Sequence, residues 1–433
     1  MTERPIDRRT VLGITGAGAI TLAAGCVSTT DEETPTDSGG NGGDGGNGGD
    51  GEDTATDTDG SSGPYTIGVV NSQTGSLSAF GERNARGLEL ALRDVNETMI
   101  RGRELDVIVE DSESTASSGV SAAQKLVNQD GVPFLIGAVG SGVSLAIYES
   151  VVDGTDVVQL SQNSTGTDLT NYPGLLRMSP PGGVQSSAIA SLVDADGHDS
   201  VALAWVNNDY GQGLAETFRA EWDGDIVYDE PHDQGASSYS SVVSSMANSG
   251  ADAWVFITYQ PEFTTMAQEA YSNGYEAPYY GADSVQGSDV LDSTPEGSLE
   301  GMQVVVPSAA IDQDNYQQFA ADFESEYGQQ PTSWAAFMYD CVVTAALSIA
   351  TADEFTGSAL QETVRDVTRP EGEEVFTFDE AMEVLGEDGT ADDIDYQGVS
   401  GPIDFDENGD PVGFLQVLTV QDHEYVQTDT VQG

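Results

Sequence analysis

Lysine is all but missing from this sequence. Lys125 stands alone, and basic side chains total 13 against 74 acidic ones, a net charge of −61. So cation-poor a chain repels nucleic acid and anionic lipid, which excludes both as partners. Cysteine is scarce too, with Cys26 and Cys341 the only two. No internal disulfide framework is implied. Cys341 falls in the apolar helical run from Trp334 to Leu347, where it is expected as a buried small hydrophobe, not a catalytic thiol. The three histidines, His198, His232 and His423, sit in polar stretches far apart in sequence. Their spacing matches neither a zinc site nor a hydrolase triad, and all three are expected at the surface. Ser141 is flanked by Val139 and Val143 where a nucleophile elbow needs glycine. With no nucleophile–base pair, neither enzyme activity nor a cofactor or metal is expected.

At 433 residues the chain can build two or three domains, and its 38% hydrophobic content is ordinary for a globular protein. The acidity is not ordinary. In molar salt the Debye length shrinks to about 3 Å, which screens such repulsion. The composition therefore points to an extreme halophile.

Residues 1–26 read as a processed address. Arg8-Arg9 precede an apolar run from Val11 to Gly25, too short to span a bilayer comfortably and suited to a signal segment. The paired arginine resembles a twin-arginine export signal. Leu22-Ala-Ala-Gly-Cys26 resembles a lipobox in which Cys26 is lipidated, although Ala23 stands where Leu is usual. An uncleaved membrane anchor would equally leave the rest outside. Residues 27–63 are Gly, Asp, Thr, Ser, Asn and Glu with no core-forming pattern, and are expected as a self-repelling tether with a reach of about 30–40 Å.

From Tyr65 onward short apolar strands alternate with amphipathic helices. Strands are expected at 65–70, 105–110, 132–137 and 157–161, with helices at 80–96, 116–130 and 143–152. The first of these helices places Ala85, Leu88, Ala91, Leu92 and Val95 on one face. The cycle restarts with strands at 200–206, 226–229 and 253–259 and helices at 213–222 and 238–248. Repeated βαβ units predict parallel sheets covered on both faces, an α/β doubly wound class. Polar breaks at Pro180-Pro-Gly-Gly183 and Pro307 suggest passages between two lobes. Ligands bind beyond the carboxyl ends of such strands, so two facing lobes make a cleft.

Gly137-Ala-Val-Gly-Ser-Gly142 has the wrong spacing for a dinucleotide fingerprint and reads as a tight strand-to-helix turn. The helix start behind it favours an anion such as a carboxylate. Asp404-Phe-Asp-Glu-Asn-Gly-Asp410 opens like a calcium loop, but Leu415 occupies the position that needs Glu. A hairpin turn is expected, with weak cation binding the alternative. Asn96 and Asn163 match the glycosylation pattern, the second at a strand end facing the expected cleft.

The order and spacing of many short matches then resemble one family. Ile67-Gly-Val-Val-Asn-Ser-Gln-Thr-Gly-Ser-Leu-Ser-Ala-Phe-Gly81 is similar to the first strand and loop of the leucine/isoleucine/valine-binding proteins of ABC importers. Gly87-Leu-Glu-Leu-Ala91, Asp94-Val-Asn96, Ile136-Gly137, Leu169-Thr170, Asp209-Tyr-Gly211 and Gly401-Pro402 continue in register, so the resemblance covers nearly all of 65–425. It implies the type I periplasmic-binding fold: two doubly wound parallel-sheet lobes joined by three hinge crossings. Lobe 1 would take residues 64–183 with 308–413, and lobe 2 residues 184–307 with 414–433. It implies a monomer that holds a small amino acid, branched-chain in such a family, between its lobes and hands it to ABC permease subunits. The protein would stand on the extracytoplasmic face of the membrane, anchored through Cys26.

The same resemblance implies the site. Ser141 and Thr165 match positions that meet the ligand carboxylate, though both could instead cap helices. Asp283 matches the acid that meets the ammonium, where the family usually has Glu. Asn163 matches a position whose backbone carbonyl faces that ammonium. Tyr210 and Tyr259 match cleft tyrosines, and Phe80 stands where the family often has Trp. Amides, urea or another small carboxylate remain alternative ligands, and a sensing lobe remains an alternative to transport.

Overall fold

The computed structural model describes residues 63–432. The signal at 1–26, with Cys26, and the tether up to residue 62 lie outside them. Five strands form the first sheet: β1 (Tyr65–Asn71), β2 (Leu105–Asp111), β3 (Phe134–Gly137), β4 (Val158–Ser161) and β5 (Leu175–Arg177). All pair in parallel, in the order β2-β1-β3-β4-β5. Helices α1 (Ser78–Thr98), α2 (Ala116–Asn128) and α3 (Ser141–Ile147) connect the first four strands. Every residue of β3 and β4 is buried, as for parallel strands covered by helices on both faces. On β2, an edge strand, only Leu105 is fully buried.

The second sheet begins with β6 (Ser200–Val206), β7 (Asp225–His232), β8 (Ala253–Ile257), β9 (Tyr279–Gly281) and β10 (Gln303–Ser308). Its helices are α4 (Gly182–Ala195), α5 (Asp209–Glu221), α6 (Ser240–Ser249), α7 (Gln260–Asn273) and α8 (Ser288–Ser293). The chain then returns to the first lobe through α9 (Asp314–Tyr327) and α10 (Ser333–Thr351), which packs along α1. Helix α10 is long and apolar enough to cross a membrane, yet it is almost wholly buried inside the protein as a core helix. Cys341 lies within it, fully buried, and burial pushes its thiol pKa well up. Helices α11 (Gly357–Thr363) and α12 (Phe378–Leu385) follow, with a small parallel pair, β11 (Glu373–Val375) and β12 (Ile394–Tyr396). The chain ends on β13 (Phe414–Gln421) and β14 (Glu424–Gln432).

That last pair adds an antiparallel edge to the otherwise parallel second sheet. β13 runs antiparallel to β10, and β14 antiparallel to β13, giving the order β14-β13-β10-β9-β8-β6-β7. The two strands are joined by Asp422 and His423, both at positive φ, which suits a tight hairpin. Pro307 falls one residue before the end of β10. It lies in β10 opposite Leu415, three residues past the end of the β9 ladder at Val304, where the missing N–H is tolerated. The turn at 404–410 closes through Asp406 N–H to the Asp410 carbonyl at 2.9 Å, but no paired strands flank it, so it is not a strand hairpin. On α1, Ala85 is exposed, while the polar Asn84 is fully buried. Hydrophobic periodicity misplaces that face because Asn84 is held by hydrogen bonds rather than by apolar contact. Helix α5 starts at Asp209, four residues before the expected start, since Asn208 caps it by accepting from Gly211 N–H at 3.0 Å. His232 is buried against the edge of Tyr239, not at the surface, and burial lowers its pKa.

Two buried carboxylates tie the first lobe together. Arg177, completely buried at the end of β5, donates to Asp410 at 2.5 Å, to the Gly166 carbonyl at 2.7 Å and to Thr170 at 2.7 Å. Asp340 of α10 has no cation. It accepts from the Tyr396 hydroxyl at 2.7 Å, Val399 N–H at 2.9 Å, Ser400 N–H at 2.7 Å and the Ser400 hydroxyl. Ser400 in turn accepts from Ala310 N–H at 3.0 Å, so Asp340 ties the segment that follows β12 to the one that follows β10. Burial pushes its carboxyl up to about 6, against the opposing pull of its hydrogen bonds. A raised folded-state pKa makes the folded protein bind the proton more tightly than the unfolded chain. The stability it brings is full below about pH 4 and is lost as pH rises through 6. Wild type should therefore lose on the order of 3 kcal/mol relative to Asp340→Asn between pH 4 and pH 7. Denaturant melts at both pH values check this, and parallel pH dependence of the two proteins would contradict it.

Candidate functional site

The carboxyl ends of the two sheets supply the site. In each sheet the strand order reverses around its first strand, which opens a crevice between that strand and its neighbour. Ser141 follows β3, and Asn163 and Thr165 follow β4. From the other lobe, Tyr210 follows β6, Tyr259 follows β8 and Asp283 follows β9. Phe80 stands on the first turn of α1, just beyond β1. All seven line one small cavity, partly open to solvent. None is more than 5% exposed. The lobes touch beside it: Gln234 donates to Ser76, and Gly142 leaves no room for a side chain, since a Cβ there would sit 2.5 Å from an Asp209 carboxylate oxygen.

Asp283 dominates the electrostatics. It is 3% exposed and accepts from Gln185 Nε2 at 2.8 Å, the Tyr210 hydroxyl at 3.1 Å and the Ser284 hydroxyl at 3.2 Å. Burial raises its pKa, and these hydrogen bonds pull the other way. No lysine, arginine or histidine lines the cavity. A buried carboxylate without a counter-ion is costly, which is why burial raises the Asp283 pKa. Tyr210 and Tyr259 stack with ring centres 5.5 Å apart. Burial drives both phenols up, so they remain neutral hydroxyls. Tyr259 accepts from Asn208 Nδ2 at 2.9 Å, which leaves its own proton to donate.

The first lobe offers the opposite polarity. Ser141 Oγ accepts from Gly166 N–H at 2.9 Å, so its hydroxyl hydrogen remains available as a donor. Ser141 does not cap α3, whose cap is Gly140 with no side-chain bond. Thr165 holds the entry to α4 through its carbonyl, which accepts from Gly182 N–H at 2.7 Å, and Thr165 also lines the cavity. Leu77, Phe80, Val139 and Trp334 make the apolar wall, with Phe80 and Trp334 edge to face at 5.5 Å.

Sequence reasoning missed Trp334, Ser284 and Gln185. Trp334 was hidden in an apolar helical run, and only its place on the first turn of α10, after Pro331, distinguished it from core. Gln185 lies on α4, a helix left unread. The turn at 404–410 plays no part in the cavity, and among the described residues no group of three or more His, Cys, Asp or Glu is placed to hold a metal ion.

Comparison with known proteins agrees with this geometry. A family model described as periplasmic binding protein matches residues 64–421. The Leu/Ile/Val-binding protein homolog 3 of Brucella melitensis is 27% identical over 231 residues, 52% of this chain and 62% of that protein. The chain thus spans under two thirds of that relative's length. The branched-chain amino acid transporter substrate-binding protein LivJ of Streptococcus pneumoniae, solved in complex with isoleucine, superposes with a TM-score of 0.73 at 22% identity, covering 86% of this chain and 100% of that one. A solute-binding protein of an ABC transporter from R. palustris, in complex with benzoate, superposes with a TM-score of 0.69 at 16% identity, covering 85% and 96%. At these identities the two solved structures establish the fold.

Proposed function

Because the chain belongs to the periplasmic binding protein family, we propose that it captures a small α-amino acid, branched-chain by preference, and delivers it to an ABC permease. The observation that carries this reading is Asp283, a buried carboxylate with no cation beside it, facing hydroxyl donors on the other lobe. A zwitterion satisfies both walls at once, ammonium to Asp283 and carboxylate to Ser141 and Thr165. The start of α3 adds its dipole on the carboxylate side. Phe80, Leu77, Val139 and Trp334 then face an aliphatic side chain. The names of the relatives support the branched-chain choice.

The moving bodies in this reading are residues 64–183 with 308–413 and residues 184–307 with 414–433, closing as a monomer. Binding and release need no bond chemistry, so no catalytic role is assigned. Urea or an amide could also donate to Asp283, but would leave the first lobe's donors without a carboxylate. A benzoate-like acid would leave Asp283 without its cation. A sensing role would use the same cleft.

The test is a thermal-shift series on the full chain in molar KCl, where its acidic surface is screened. Leucine, isoleucine or valine at 100 times Kd should stabilise the protein by about 2.7 kcal/mol. Asp283→Ala should weaken that binding about 10- to 100-fold, the weight of hydrogen bonds to a charged group. Shifts with amides or urea alone would overturn the ligand assignment.

We place the protein outside the cell membrane, exported by its Arg8-Arg9 signal and tethered through a lipid on Cys26. Cys26→Ser should move it from the membrane fraction to the medium. Retention of that variant in the membrane fraction would contradict lipid anchoring.

A further inference from the structure

Three asparagines stand in file from the end of β1 to the cavity wall, none more than 5% exposed. Asn71 Nδ2 donates to the Gly81 carbonyl at 2.8 Å. That contact exists because Gly81 lacks a side chain: a Cβ there would meet the Ser72 carbonyl oxygen at 1.9 Å, so α1 lies directly on the loop after β1. With its nitrogen engaged, Asn71 turns its oxygen toward Asn84, which faces it with Nδ2 at 3.4 Å. The same Asn84 Nδ2 donates to Asn163 Oδ1 at 2.7 Å. Each amide thereby sets the orientation of the next. The outcome is that Asn163 has spent its oxygen on Asn84. Its Nδ2, buried and without a partner among the described residues, is what it has left for the cavity it lines.

We propose that the side-chain amide of Asn163 donates to the ligand carboxylate, and that Asn84 is the positioning residue that keeps this donor, rather than the oxygen, turned to the cavity. The inference rests on the amino-acid reading and deepens it, because Asn163 enters that reading only through its backbone carbonyl. An orphaned buried N–H group costs more than its satisfied counterpart gains, so closure of the lobes without an acceptor here is disfavoured. With Ser141 and Thr165, Asn163 makes the first lobe a wall of donors. The cleft therefore discriminates against ligands that carry a donor in place of the carboxylate. An α-amino amide, which keeps the ammonium and side chain but offers an NH2 group, is the ligand it should reject.

Titration calorimetry of the full chain with leucine and with leucinamide tests this. Wild type should prefer leucine at least tenfold. Asn163→Asp keeps the acceptor for Asn84 and replaces the donor with a carboxylate oxygen. Its leucine-to-leucinamide preference should fall tenfold or more. Asn84→Asp withdraws the donor and offers an acceptor, so Asn163 should turn its Nδ2 to the new carboxylate and its oxygen to the cavity. The preference should then shift in the same direction with no substitution in the cavity itself. A structural role for either residue would weaken both ligands equally. An unchanged ratio in Asn163→Asp, with wild type binding leucine normally, would overturn this inference alone. Failure of wild type to bind leucine at all would overturn the amino-acid reading and this inference with it. Melting curves of both variants identify any that fails to fold, and Asn163→Ala, which should bind leucine at least tenfold more weakly while leaving leucinamide binding nearly unchanged, then decides.

Discussion

A carboxylate buried without a cation is the constraint around which this protein is organised. Asp283 sits at the end of β9, where the second lobe meets the cavity, and its three hydrogen-bond donors are all neutral. Such a group is tolerated only if the surroundings partly solvate it and something else completes the job. Gln185 illustrates how tightly it is framed: the same Nε2 also donates to the Val305 carbonyl at 2.7 Å, which locks α4 against β10 behind the acid. The second lobe thus holds Asp283 rigidly in place.

Two other buried carboxylates, Asp410 and Asp340, show what makes Asp283 different. Asp410 has an arginine, and its pair with Arg177 is sealed from solvent, so added salt screens it little. Asp340 has no cation but four donors from the fold itself, two of them backbone N–H groups. Those two are complete as the chain folds. Asp283 is completed only across the cleft, and it is the one of the three that lines a cavity. In a chain with 13 basic residues, none of them stands at this site, and the proposed ligand would bring the cation. Opposite polarity on the two lobes also explains closure. Ser141, Asn163 and Thr165 belong to one lobe and Asp283 to the other, so in the proposed reading one zwitterion would link both.

Much of this was legible in the residues. Buried parallel strands such as Phe134–Gly137 and Ala253–Ile257 show as apolar runs, and the residues that follow them are the ones that reach the cleft. The seven residues implied by family resemblance meet in one cavity, although resemblance alone says nothing of their hydrogen bonds. What stayed hidden has a common cause. Asn84, His232 and Gln185 are polar residues buried by specific hydrogen bonds or ring contacts, which hydrophobic periodicity cannot register. Ala85 was placed in the core for the same reason in reverse. The antiparallel hairpin after Phe414 depends on pairing with β10 from more than 100 residues earlier, which local pattern does not encode.

The most direct test of the central claim compares leucine with 4-methylpentanoate, which is leucine without its amino group. Both present the same carboxylate and side chain to the first lobe, and they differ only in what reaches Asp283. If the buried acid is waiting for a cation, calorimetry should show leucine binding about 100-fold or more tightly than the deaminated acid. Equal affinity would mean that Asp283 does not select the ligand.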